Sequence, residues 1–239
     1  MSVPARAETE TVATPAAQPD HVQSLADQYS KMASEAFAHR RVDVALRTLD
    51  LIIAGSALLL LSPLLGLLAL ATLLTSGRPV LYRGQRVGRA GRVFTMYKLR
   101  TLRPGAEGRL GNVYGEELSR RTEEEVTMVG RAARLTHIDE VPQLFNVVRG
   151  DMSMVGPRPV RPAFFYRLVE DVPQYWQRLV VRPGVTGFAQ TRITREDSWE
   201  DKLIHDLEYI ADRSIRLYLR VLGATMVRIV RLTFSGRNR

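Results

Sequence analysis

The sequence predicts a mixed α/β fold: a compact domain with a β-hairpin and amphipathic interface helices, joined to an apolar N-terminal helix. Three observations predict it. Residues 51–77 form a run of 27 without a charge, long enough for a membrane helix of about 20 residues. Residues 80–103 alternate polar and apolar side chains on either side of a turn, the period of a hairpin. From residue 134 onward apolar side chains recur at steps of three and four, the period of helices. The chain thus divides into 1–38, a tail with a weak surface helix; 39–78, the membrane helix; and 79–239, the folded domain.

With 239 residues, 45% of them hydrophobic, the chain can build one domain of ordinary size. It has no cysteine, which excludes disulfides and thiolate metal sites, so a metal would be held by oxygen or imidazole. Lys and Arg outnumber Asp and Glu by 34 to 25, a net charge of +9. That excess selects an anionic partner: nucleic acid, anionic lipid or a phosphorylated substrate. The apolar run decides for membrane lipid, and no nucleic acid is expected.

Residues 1–20 are rich in Ala, Pro, Thr and Glu and lack the apolar core of a signal peptide, so a disordered tail is expected. Val22, Leu25, Tyr29, Met32 and Phe37 have the loose spacing of a surface helix. In the apolar run, Ser62-Pro63 falls near the middle. Pro63 removes the hydrogen bond to the Leu59 carbonyl, and the Ser62 hydroxyl can answer it where water is absent. Both flanks are basic, with Arg40, Arg41 and Arg47 before and Arg78, Arg83 and Arg86 after. A spanning helix normally shows asymmetric charge, whereas one that bends and returns keeps both ends on the cytoplasmic side. A re-entrant helix broken at Ser62-Pro63 is therefore expected.

The hairpin turns at residues 89–92. Lys98 and Arg100 share one face of the returning strand by the period of two, which suits either a solvated basic face or a phosphate site. Residues 104–130, with Gly108, Gly111 and Gly115 and a mixed-charge run at 116–125, read as a loop and an exposed helix.

Residues 134–159 are the densest convergence of carboxylates, arginines and backbone punctuation. Thr136 followed by Asp139 resembles a capping box. Val141, Leu144, Phe145 and Val148 keep helical spacing until Gly150 stops it, and Pro142 must lie near the helix start. Adjacent Asp139 and Glu140, with Arg134 before and Arg158 in a Gly-Pro-Arg-Pro turn after, suit a reaction on a phosphate ester. One carboxylate attacks or takes a proton, the other holds a divalent metal, and the arginines neutralise developing charge. The plainer alternative is that both acids complement a helix dipole.

Residues 161–181 look helical, with Tyr175 and Trp176 beside Arg178 and Arg182 suited equally to a bilayer interface or to core packing. Residues 182–190 read as a turn and a strand. In the helix expected at 199–210, Asp206 falls inside the apolar stripe of Trp199, Leu203, Leu207 and Ile210, so it needs a buried partner or a chemical role. At 213–231 Arg213, Arg216, Arg220, Arg228 and Arg231 line one face of a basic amphipathic helix.

The block 136–159 resembles the signature of the bacterial sugar transferases, the small monotopic phosphoglycosyl transferases that act on polyprenyl phosphate. The spacing of Gln85, Arg86, Gly88, Gly91, Phe94, Lys98, Arg100 and Thr101 is similar to a second family signature, and residues 182–190 to a third. Only His137-Ile138 departs, where the family often has small or apolar residues. The resemblance implies a re-entrant Ser62-Pro63 helix, a catalytic domain facing the cytoplasm on the bacterial inner membrane, and no spanning segment. It also implies transfer of a sugar 1-phosphate from a UDP-sugar to undecaprenyl phosphate with release of UMP, the first membrane step of exopolysaccharide or capsule assembly. Asp139 would be the nucleophile and Glu140 the Mg²⁺ ligand with Asp139 beside it. Lys98, Arg100, Arg134 and Arg158 would bind the phosphates, and Asp206, Gln190 and Arg182 would lie near nucleotide, sugar or metal. A homodimer stays open. The rival reading is a basic, membrane-tethered scaffold without catalysis.

Overall fold

In a computed structural model the chain is described over residues 41–110, 115–192 and 198–234; the expected tail and surface helix at 1–38 lie outside them. The architecture is mixed α/β, mostly helical, with two small two-stranded sheets.

Helix α1 spans Arg41–Ser76 and includes Pro63. Its Leu and Ala residues are strong helix formers. The Ser62 hydroxyl donates to the Leu59 carbonyl at 2.9 Å, the very acceptor that Pro63 leaves without its amide partner. By length and a mean hydropathy of 2.4 this helix could cross a membrane. Leu59, Leu60 and Leu74 are each 77% exposed, an apolar surface that water alone would not favour.

Both ends of α1 are held by the domain. Near its start the Arg213 guanidinium donates to Asp43 at 2.6 and 3.0 Å. Arg47 donates to the Val147 and Val148 carbonyls. Buried Asp50 accepts from the Ser153 hydroxyl, the Met154 amide and the Tyr218 hydroxyl. At the other end the Arg100 side chain donates to the carbonyls of Ser76 and Gly77 at 2.7 and 2.9 Å.

Strands β1 (Leu81–Val87) and β2 (Val93–Leu99) form the expected antiparallel hairpin, with Tyr82 opposite Lys98. Gly91, at φ 73°, closes the turn. The loop region carries α2 (Ala106–Leu110) and α3 (Gly115–Glu124). Helix α4 (Met128–Leu135) starts on Thr127, whose side chain accepts the Gly130 amide. It lies against the end of the hairpin: a Cβ on Gly130 would come within 2.1 Å of the Thr101 carbonyl oxygen, so only glycine fits.

The capping box expected at Thr136 is not formed. Thr136 instead ends α4, its hydroxyl donating to the Ala132 carbonyl at 3.0 Å. His137 then turns the chain at a left-handed φ of 57° into a short 3-10 turn, Ile138–Glu140. Pro142 precedes α5 (Gln143–Arg149), which Gly150 terminates at φ 97°. Leu144 and Val147 are buried, while Phe145 and Val148 remain 53% and 39% exposed; the expected single apolar face is shared between core and surface.

Strand β3 (Ser153–Val155) pairs in parallel with β4 (Gly184–Thr186). Between them run α6 (Pro162–Asp171) and a 3-10 segment, Pro173–Val180. Pro173 breaks the continuous helix expected at 161–181, and Tyr175, 1% exposed, packs in the core rather than at an interface. After β4 the expected strand gives way to α7 (Phe188–Arg192). Helix α8 (Trp199–Asp212) starts on Ser198, and α9 (Ile215–Phe234) follows. The expected five-arginine face of α9 is narrower than the helical wheel implies. Arg213 is buried on Asp43, and Arg228 donates to the Gln190 carbonyl. Arg216, Arg220, Arg228 and Arg231 stay exposed.

Candidate active site

Three elements meet around Asp139 and Glu140: β2, the 3-10 turn and α5. Asn146, fully buried on α5, fixes their register. Its carboxamide oxygen accepts the Tyr97 amide at 3.1 Å, and its Nδ2 donates to the Thr95 carbonyl at 2.8 Å. Locked in this way, β2 presents the next residue, Lys98, to the turn, and Lys98 Nζ lies 2.6 Å from Glu140 Oε1.

The two neighbouring acids are shifted in opposite directions. Asp139 is 8% exposed. Burial pushes its carboxyl above the usual carboxylate range, the adjacent Glu140 charge adds to this, and Lys98, Arg134 and His137 pull the other way. Burial also raises Glu140, but Lys98 and Arg158 outweigh it and hold that carboxyl below its ordinary value. One acid is thus kept ionised by cations, while its neighbour is a more basic, less hydrated carboxylate. That pairing suits a charge-holding group beside a nucleophile or base.

Of the other expected phosphate ligands, Arg158 is exposed and acts on Glu140 through its charge. Arg86 and Arg161 stand near enough to Arg158 for their charges to act together, making a cationic rim that the sequence reading did not assign to the site. Arg134 sits beside Asp139 electrostatically, with Nε on the Thr101 hydroxyl at 2.9 Å and Nη1 3.5 Å from Glu123.

Three further expected site residues, Arg100, Arg182 and Asp206, have their side chains bonded elsewhere. Strand β2 ends at Leu99, so Arg100 does not extend the Lys98 face but caps the end of α1. Arg182 donates to the Gly150 carbonyl at 2.9 Å, tying β4 to the end of α5. The Gln190 Oε1 is buried beside Gly187 without a hydrogen-bond partner among the described residues, while the Gln190 backbone carbonyl accepts from Arg228. Asp206 pairs with Arg178 at 2.8 Å, both side chains 5% exposed. The buried salt bridge, the plainer of its two expected fates, is the one observed.

Comparison with known proteins shows the family. A family model described as "Bacterial sugar transferase" matches residues 41–232. The "UDP-glucose:undecaprenyl-phosphate glucose-1-phosphate transferase" of Caulobacter vibrioides is 38% identical over 77% of this chain and 69% of its own length. The "UDP-N-acetylgalactosamine-undecaprenyl-phosphate N-acetylgalactosaminephosphotransferase" of Aeromonas hydrophila is 34% identical over 80% of this chain but 44% of its own length. The "Exopolysaccharide production protein PSS" of Rhizobium leguminosarum is 35% identical over 76% and 92%. This chain therefore spans less than half of the Aeromonas relative and most of the Rhizobium one. The match from the start of α1 nearly to the end of α9 takes in every residue of the site just described, and the chain belongs to the bacterial sugar transferase family.

Proposed function

We propose that the protein transfers a sugar 1-phosphate from a UDP-sugar to undecaprenyl phosphate, releasing UMP, as the first membrane step of exopolysaccharide or capsule synthesis. The observation that carries this reading is the Lys98–Glu140 pair at 2.6 Å beside buried Asp139, set in a domain whose α1 has an exposed apolar surface long enough to enter a membrane. The acceptor's tail stays in the bilayer while the donor is water-soluble, so the site has to stand at their boundary.

In the first step an Asp139 carboxylate oxygen bonds to the donor's β-phosphorus while the bond from that phosphorus to the bridging oxygen breaks, and UMP leaves with the electron pair. In the second, an oxygen of the lipid phosphate attacks the same phosphorus and expels Asp139. Lys98 and Arg158 neutralise the charge on the diphosphate, with Arg134 beside Asp139. Among the described residues no three His, Cys, Asp or Glu side chains converge on a metal position. Mg²⁺ takes one or two carboxylates and leaves its other positions to water and substrate phosphates. Glu140, kept ionised, would hold it with Asp139 beside it, and the ion would supply charge neutralisation to the phosphates.

For α1 the same proposal adopts the re-entrant geometry, with the domain on the cytoplasmic face of the inner membrane. A straight run from Arg47 to Gly77 would separate those anchors by about 45 Å. Yet Arg47 bonds to Val147, whose neighbour Asn146 bonds to Tyr97, and Arg100, three residues after Tyr97, bonds to Gly77. That linkage would reach such a span only if every segment were stretched along one line. A bend at Ser62-Pro63 relieves this, and a cysteine placed at residue 30 should then resist periplasmic labelling in intact cells.

The test is to incubate detergent-solubilised protein with undecaprenyl phosphate and a panel of UDP-sugars and to measure UMP with and without EDTA. Release from one donor, lost in EDTA and in Asp139→Asn, is the expected result. No release from any donor, or equal release by the variant, defeats the reading.

A further inference from the structure

Resting on the proposed function above, we infer that the buried Arg178–Asp206 pair is a positioning device for Arg158: it grips the backbone from which that arginine reaches the donor diphosphate, rather than touching substrate or metal itself. Arg178 Nη2 is shared between Asp206 Oδ2 at 2.8 Å and the backbone carbonyl of Arg158 at 2.9 Å. Its Nη1 donates to the Tyr175 hydroxyl, and the guanidinium carbon lies 4.7 Å from the Tyr175 ring centroid. Tyr175, Arg178 and Asp206 come from the 3-10 segment and α8, so two elements distant in sequence converge behind one turn.

The rest of that turn is fixed by backbone bonds. The Gly156 amide donates to the Thr186 carbonyl, the Gly184 amide to the Pro157 carbonyl, and the Val87 amide to the Val160 carbonyl. A Cβ on Gly156 would meet the Arg182 carbonyl oxygen at 2.4 Å, so the turn sits against β4 without slack. Pro157 and Pro159 restrict the backbone on either side of Arg158. The carbonyl of Arg158 itself is held by a charged side chain, whose own orientation is set by Asp206. If packing were all that mattered, an apolar pair of similar volume would serve as well as two buried charges; an apolar pair cannot donate to the Arg158 carbonyl. Asp206 thus acts at one remove: its carboxylate aims Arg178, and Arg178 aims the turn.

The experiment compares four full-length proteins in detergent: wild type, Arg158→Ala, the paired replacement Arg178→Met with Asp206→Leu, and the triple variant. Each is measured for melting temperature, for kcat/KM in UMP release with the active UDP-sugar, and for affinity towards UDP as a diphosphate probe. Arg158→Ala should cost on the order of 100-fold in kcat/KM, as expected for a lost charge-stabilising group. The paired replacement should keep the melting temperature yet lose about 10-fold or more, since a small misplacement of a positioned group is costly. In the Arg158→Ala background the pair should cost less than about 2-fold, because effects of groups that act as a unit do not add. UDP affinity should follow the same pattern. A paired variant with wild-type activity, or an equal loss with and without Arg158, overturns the inference and leaves the proposed reaction standing. An Arg158→Ala protein as active as wild type removes the clamp role from the proposed function and this inference with it. Should the paired variant melt early, Asp206→Asn in both Arg158 backgrounds supplies the same comparison.

Discussion

Two carboxylate–cation pairs in this protein look alike on paper and behave differently. Lys98 and Glu140 are 2.6 Å apart with side chains 21% and 23% exposed. Arg178 and Asp206 are 2.8 Å apart with both side chains 5% exposed. The first pair can exchange its partner for a substrate phosphate or a metal without unfolding anything, because solvent already reaches both members. The second has no such freedom, since separating it would strand charge in the interior. Accessibility, more than proximity, divides the pair suited to chemistry from the pair suited to architecture.

The largest effect should fall on the carboxylate beside the open pair. Asp139→Asn is expected to lower UMP release by at least about 10³-fold, the scale of a lost nucleophile, without lowering the melting temperature. Burial raises the Asp139 pKa, so its ionisation opposes folding: the cost is absent below the ordinary carboxylate value, grows as pH rises from there to the raised value, and is complete above it. Asparagine removes that cost, and a thermal melt at neutral pH beside the rate measurement checks both halves. If activity survived, the open pair would be no more chemical than the closed one.

Breaking the closed pair should reverse the pattern. Arg178→Ala leaves Asp206 buried and unpaired, at a cost of about 3–5 kcal/mol in stability, whereas Lys98→Ala should cost about 1 kcal/mol or less for a partly exposed pair. Urea unfolding of the two variants measures this, and equal losses would erase the distinction.

Next in size, Lys98→Met should reduce kcat/KM by about 10²-fold, the loss of one charge-stabilising donor. It should also move the acid limb of the pH–rate profile upward. Lys98 is the chief cation holding Glu140 low, so without it the carboxyl titrates at higher pH, and the ionised form is lost earlier on acidification. An unmoved limb would mean that Glu140 does not need Lys98 to stay charged.

The smallest effect belongs far from either pair. Arg216→Gln with Arg220→Gln should weaken sedimentation with anionic vesicles by about 1 kcal/mol per arginine, while leaving the melting temperature unchanged.

Much of the fold is legible in local pattern. The uncharged run, the hairpin and the stop at Gly150 follow from hydropathy, alternation and backbone freedom, and each appears where those rules place it. The Ser62 hydroxyl on the Leu59 carbonyl is equally local. The misreadings come where the backbone turns or an element ends at a point that side-chain pattern does not mark. Thr136 reads as a helix start because Asp139 follows it, but the left-handed turn at His137 makes it a helix end. Arg100 reads as part of the Lys98 face because strands alternate; the strand stops one residue short, and the carbonyls at the end of α1 take its guanidinium. Asn146 and Arg178 had no local signal, since one is polar within an apolar helix and the other lies beside two aromatics. The Tyr97 amide that Asn146 accepts is 49 residues away, and the Arg158 carbonyl that Arg178 holds is 20 away.

By itself the sequence determined the chemical inventory and its rough order: an apolar helix containing a proline, a basic hairpin, adjacent acids and a Gly-Pro-Arg-Pro turn, because composition and periodicity are properties of neighbours along the chain. Tertiary structure alone decided which charges meet. Lys98 goes to Glu140, Arg100 to the end of α1, and Asp206 to Arg178. The physical reason is that a buried charge must find a partner wherever packing brings one, and packing is set by elements that the local sequence around each charge does not contain.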